Sequence, residues 1–173
     1  MRAILTAFVL ATTALPAAAA LPEGTKAPQF VTNGAVGGKP FRLDLKQQLR
    51  NGPVVLYFFP KAFTKGCTLE AHAFSEAAPE FRKAGARVIG MSADDIPTLK
   101  KFSTEECRSA FPVARATPEL MREYKVVWKE QPGLTTRTSY VIAQDGRIVM
   151  VHDDLDWSQH VARTLAAVKA LKR

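Results

Sequence analysis

The chain is poor in the side chains that build metal and redox-cofactor sites. Among its 173 residues there are two cysteines and three histidines. His72, His152 and His160 stand at spacings that match no zinc pattern with Cys67 and Cys107, so neither a metal nor a cofactor is expected. There is no C-x-x-C, which weakens the case for a thioredoxin-type disulfide reductase. A Gly-rich phosphate loop is also missing. No repeat or low-complexity linker follows the first twenty residues. Beyond residue 22 no apolar run approaches the roughly 20 residues needed to span a bilayer. Lysine and arginine exceed aspartate and glutamate, for a net charge of +8, but no basic run interleaves with aromatics. A solvated basic surface is expected, with no nucleic-acid partner.

The length fits one domain, and 47% apolar content suffices for an ordinary core. The start of the chain differs from the rest. Arg2 is followed by an uncharged, mostly apolar run over 3–15, then by Ala18 and Ala20 in an A-x-A pattern. Residues 1–20 are expected to be a secretory signal peptide, cut after Ala20, with an uncleaved membrane anchor as the alternative. The mature domain is then 21–173, periplasmic or secreted, and not inserted in the membrane after cleavage. Two cysteines in an exported chain suggest a disulfide, and a purely structural staple is one reading of Cys67 and Cys107.

LPEGTKAPQF, 21–30, is an opening segment with proline and glycine, and GGKPFRLDLKQQL reads as a turn, a short strand and a short helix. PVVLYFF, 53–59, is a buried central strand. A helix is predicted over 68–83 from Leu69, Ala73, Phe74, Ala77, Ala78 and Phe81, with Gly85 as its stop. A strand at 86–93 leads to Asp94 and Asp95, either of which can cap a helix over 96–107. FPVAR is a short strand, and Thr117 caps PELMREY. TSYVIAQDGRIVMVHDD is a hairpin around Asp145-Gly146. The last helix starts at Asp156 or Ser158, with Val161, Leu165, Val168 and Leu171 on one face. The resulting α/β domain has a mixed central sheet with helices on both faces, in a thioredoxin-like arrangement.

Chemistry in such sheets collects beyond the carboxyl ends of strands, and FFPKAFTKGCTLEAH stands there. Cys67 falls in the first turn of a helix, where unpaired N–H groups and the dipole favour a thiolate. Thr64 brings a hydroxyl that is either part of the site or a loop or cap oxygen. Pro60 turns the chain and shields the sulfur, and Gly66 permits close approach of a small substrate. A thiolate with nearby donors suits attack on a hydroperoxide, whose leaving oxygen gains negative charge.

Pro60, Thr64 and Cys67 stand in a pattern that resembles the peroxiredoxins, specifically the bacterioferritin-comigratory-protein (PrxQ) type. YFFPKAFTKGCTLEA, VIGMSADD, LKKFSTEECRSAFPV and TRTSYVIAQDGRIV are similar to that group over about residues 22–151. The resemblance implies a thiol peroxidase acting on hydrogen peroxide and organic hydroperoxides. It implies Cys67 as peroxidatic thiol, Arg137 as active-site cation and a thioredoxin-like reductant as partner. Glu70 either accepts a hydrogen bond from Arg137 or favours the helix start. Many members carry a second cysteine five positions after the first; here that position is His72, and Lys65 replaces a frequent proline. Cys107 then resolves the sulfenic acid as an intramolecular disulfide, or Cys67 works with an external reductant alone. A monomer is expected. The rival readings are a disulfide-stapled exported binding domain and a thiol-disulfide oxidoreductase.

Overall fold

A computed structural model describes residues 20–171, so the expected leader lies outside them except for Ala20. The strands are β1 (Val31–Val36), β2 (Lys39–Asp44), β3 (Val54–Phe58), β4 (Arg87–Ser92), β5 (Val113–Arg115), β6 (Thr138–Ile142) and β7 (Ile148–Asp153). The helices are α1 (Leu45–Leu49), α2 (Lys65–Lys83), α3 (Ile96–Glu105), α4 (Pro118–Glu123) and α5 (His160–Ala170), with a 3-10 turn at Trp157–Gln159. The strands form one sheet in the order β2-β1-β5-β4-β3-β6-β7. It is mixed: β3 runs parallel to β4, and β4 to β5, while β6 is antiparallel to both β3 and β7.

Every residue of β3 is buried, as its continuous apolar run predicts. Alternate side chains feed two cores. Val54, Leu56 and Phe58 pack on one face with Leu45, Leu49, Leu120 and Met121 from α1 and α4. Val55, Tyr57 and Phe59 pack on the other with Phe74, Phe81, Leu99, Phe102 and Val168 from α2, α3 and α5. The period of two along the strand thus sets which helices lie on which side. No helix among the described residues is long and apolar enough to cross a membrane.

Three readings need correction. The opening segment runs into a strand, β1, that pairs antiparallel with β2 and β5; its polar and glycine residues, VTNGAV, hide the signal. Helix α2 starts at Lys65, earlier than predicted, and its buried stripe is Cys67, Glu70, Ala71, Phe74, Ser75, Ala78 and Phe81. Leu69 is exposed instead. In α5 the buried positions are His160, Thr164 and Val168, while Leu171 is exposed. Both shifts have one cause: polar side chains with internal partners take places on the buried face, which an apolar count assigns to solvent.

Candidate active site

The site begins where β3 ends. The Phe59 N–H donates to the Met91 carbonyl at 2.9 Å. Thr135 Oγ1 donates to the Phe59 carbonyl at 2.7 Å. The strand end is therefore pinned on both sides before buried Pro60 turns the chain. The loop after it is held from β4: Asp94 Oδ2 accepts from the Ala62 N–H at 2.8 Å and from the Ser92 hydroxyl. Asp95 alone caps α3, accepting from the Thr98 N–H at 2.8 Å. Phe63, at φ 62°, sets its ring edge-on against Phe102 with centroids 5.3 Å apart.

Thr64 precedes α2 but does not cap it through its side chain. Its hydroxyl donates to the Lys61 carbonyl at 2.9 Å, which corrects the cap reading. With the proton committed there, the exposed oxygen keeps its lone pairs for a hydrogen-bond donor. The N–H groups of Lys65, Gly66 and Cys67 in the first turn have no acceptor within the helix.

Cys67 is 1% exposed, and its Sγ accepts from Arg137 Nη2 at 3.6 Å. Arg137 stands immediately before β6 and is also buried. Its Nε donates to the Leu155 carbonyl at 2.9 Å, and its Nη1 donates to Glu70 Oε2. Three directions of the guanidinium fork are thereby fixed. Burial works against the Arg137 charge, but Glu70 and Cys67 outweigh it and push the guanidinium further up. Glu70 is fully buried one turn after Cys67; burial raises its carboxyl to about 8, and Arg137 offsets that only in part. Of the two readings of Glu70, the partner of Arg137 is the one observed.

Gly66 has a different reason from the one expected. A Cβ there would stand 3.0 Å from Arg137 Nη2 and 3.9 Å from Trp157 Cδ1. The missing side chain admits the guanidinium that reaches the sulfur.

Cys107 lies just past α3, fully buried and free, as Cys67 is free. Both belong to the same apolar cluster. Burial, with Glu106 beside it, pushes the Cys107 thiol well above the usual thiol range. The segment around it is fastened to α2 at three points. His72 Nε2 meets Glu106 Oε2 at 2.8 Å, Ser75 Oγ donates to the Cys107 carbonyl at 2.9 Å, and Arg108 Nη1 donates to Glu76 Oε1 at 3.3 Å. His72, five positions after Cys67, is thus one half of this clasp.

The AhpC/TSA family profile matches residues 24–151. The chain belongs to the AhpC/TSA family. This peroxiredoxin is 32% identical to Escherichia coli K12 peroxiredoxin Bcp over 146 residues, covering 81% of this chain and 90% of that one. The solved structure of peroxidoxin BcpB from Mycobacterium tuberculosis matches at a TM-score of 0.76 and 30% identity, covering 87% and 98% of the two chains. Peroxiredoxin Q of Xanthomonas campestris matches at 0.70 and 28%, covering 82% and 91%. The chain is a PrxQ/Bcp-type peroxiredoxin with a thioredoxin-like fold, and its class of activity is thiol peroxidase.

Sequence reasoning missed several parts of the peroxiredoxin site. The Leu155 carbonyl is backbone and carries no side-chain signal. Asp94 carries the same cap signature as Asp95, because both suit that position, and nothing in the sequence separates their tasks. His160 stands at no metal-ligand spacing that would single it out, and it lies beyond residue 151, where the family match ends.

Proposed function

We propose that Cys67 is the peroxidatic thiol, with Arg137, Thr64 and Pro60 completing the site and Cys107 resolving it. The contact that carries this reading is Arg137 Nη2 on Cys67 Sγ, 3.6 Å apart in a dry setting. A fixed cation and the open first-turn N–H groups both stabilise negative charge on the sulfur.

In the first step the Cys67 thiolate attacks one peroxide oxygen. The S–O bond forms, the O–O bond breaks, and sulfur is oxidised by two electrons to the sulfenic acid. From hydrogen peroxide the leaving group is hydroxide, which passes to the solvent; from an organic hydroperoxide it is the alkoxide. Arg137 and the first-turn N–H groups serve the growing charge on the leaving oxygen. The Thr64 oxygen, its own proton held by the Lys61 carbonyl, accepts from the peroxide O–H and orients it. Buried Pro60 walls the loop against water.

In the second step the Cys107 sulfur attacks the Cys67 sulfenic acid, forming the S–S bond and releasing water. A buried thiol raised by its surroundings is a weak nucleophile, so this step needs the clasp to α2 to open. A dithiol donor of thioredoxin type then exchanges with the disulfide and is itself oxidised. The working unit is a single chain, because both thiols belong to it. The leader-like start, with its A-x-A end, supports action outside the cytoplasm, and the N-terminus of the protein recovered from cell fractions tests that.

Mass spectrometry of peroxide-treated protein tests the cycle. The parent is expected to form a 67–107 bridge, and Cys107→Ser to accumulate sulfenic and then sulfinic acid at Cys67. A parent that stops at sulfenic acid with Cys107 still reduced overturns the resolving role and leaves the scheme with an external reductant.

A further inference from the structure

Behind Arg137 the polar contacts continue inward, past the residues that touch the sulfur. Glu70 Oε2 accepts from Arg137, but Glu70 Oε1 is buried and has no hydrogen-bond partner. What faces it is His160 Nδ1, 3.7 Å away, on a ring that is itself fully buried. The tautomer of His160 follows from its other contacts. Nε2 lies 2.9 Å from the Asp154 carbonyl, which only accepts, so Nε2 carries the hydrogen. Nδ1 therefore accepts from the Ser139 hydroxyl at 2.8 Å and has no hydrogen to offer Glu70 Oε1. An ionised Glu70 would set two acceptors against each other in a dry space. A proton on Oε1 removes that conflict, leaving Oε2 as the acceptor for Arg137.

We propose that His160 is a positioning residue of the peroxidase site: its Nδ1 turns an acceptor atom and no N–H toward Oε1, which disfavours the Glu70 carboxylate and keeps that carboxyl protonated, so that the Arg137 cation is left to the Cys67 sulfur. This rests on the Cys67–Arg137 reading given above. Ionised Glu70 would neutralise the guanidinium that the thiolate and the leaving oxygen need. Protonated Glu70 holds the fork in place without cancelling its charge. The last helix, outside the matched family segment, thus sets the charge balance of the site. Burial acts in the same sense, raising Glu70 to about 8 and lowering His160 to about 4. The other charged or titratable groups facing the pair are Arg137 and Asp154, with Tyr57 from β3, His152 from β7, and Asp156 of the loop before the 3-10 turn.

The test is the pH profile of the second-order rate constant of reduced protein with hydrogen peroxide, read by stopped-flow tryptophan fluorescence. The parent is expected to lose rate as pH rises through about 8, when Glu70 ionises. Glu70→Gln is expected to lack that descending limb. His160→Gln offers an amide N–H toward Oε1, favours the carboxylate, and moves the limb down by about one pH unit. Ser139→Ala frees Nδ1 for the Glu70 proton and moves the limb up. Opposite shifts in two variants with melting temperatures close to the parent's are not what a packing role produces. If His160→Gln does not fold, Ser139→Ala and Glu70→Gln decide. No descending limb in the parent, or a limb that stays fixed or moves one way in both variants, overturns the proposal while the Cys67 chemistry stands. A parent whose peroxide reaction does not depend on Cys67 overturns the underlying reading with it.

Discussion

Arg137 has its donors aimed in three directions, at Leu155, Glu70 and Cys67. Lysine carries the same charge but no fork, so Arg137→Lys removes the geometry while keeping the cation. The rate of Cys67 with peroxide is expected to fall by about 10²–10³-fold, the usual cost of one lost donor to a developing anion. Gly66→Ala is a gentler probe. Its new methyl meets Nη2 at 3.0 Å, so the guanidinium must shift by a few tenths of an ångström. A rate loss of about tenfold is expected, with little change in melting temperature, because the residue sits in a helix and alanine favours that state. Stopped-flow and thermal melting on the same sample separate the two effects. At this scale the sequence shows the side chains Pro60, Thr64, Cys67 and Arg137, of which the structure brings Cys67 and Arg137 into contact. The sequence is unreadable where the partner is a main-chain carbonyl, as at Leu155, or where two neighbouring aspartates share one signature but divide two tasks.

Helix α2 carries Cys67 and the segment just past α3 carries Cys107; in the proposed cycle, residues 106–108 are the part that must move for the two thiols to meet. The His72–Glu106 contact is half-buried and short, which makes it the most specific of the three fastenings. Glu106→Gln is expected to raise the rate of 67–107 bridge formation by about two- to fivefold, since such a pair contributes up to about 1 kcal/mol. The peroxide step itself should stay unchanged. Double-mixing stopped-flow resolves the two phases, and a slower second phase contradicts the clasp. Asp94 works at the same scale on the other side of the site. Asp94→Ala releases the Ala62 N–H and is expected to lower the peroxide rate without touching bridge formation. The order of these helices is legible in the sequence, but the buried faces of α2 and α5 are rotated from the expected ones. Glu70, Ser75, His160 and Thr164 occupy them because each finds an internal partner, and periodicity of apolar residues cannot see such pairs.

For the molecule as a whole, the buried pair leaves a signature in stability. Glu70 is raised from 4.5 to about 8, so its contribution is full below 4.5 and is lost as pH rises toward about 8. His160 is lowered from 6.5 to about 4, so its contribution is present above 6.5 and lost as pH falls through about 4. Between 6.5 and 8 only the Glu70 loss remains of the two. The melting temperature of the reduced protein is expected to decline over that window, and more steeply than that of Glu70→Gln. The overall architecture, a mixed sheet between two helical layers, was legible from alternation in the strands and from the hairpin at Asp145-Gly146. Strand β1 is not, because VTNGAV carries polar and glycine residues in place of a strand-like apolar alternation. Every part of the scheme converges on one sulfur, and the rate constant of reduced parent, Cys67→Ser and Cys107→Ser with hydrogen peroxide tests it most directly. A fast oxidation phase retained in Cys107→Ser and absent in Cys67→Ser is the expected result; peroxide consumption undiminished in Cys67→Ser contradicts it.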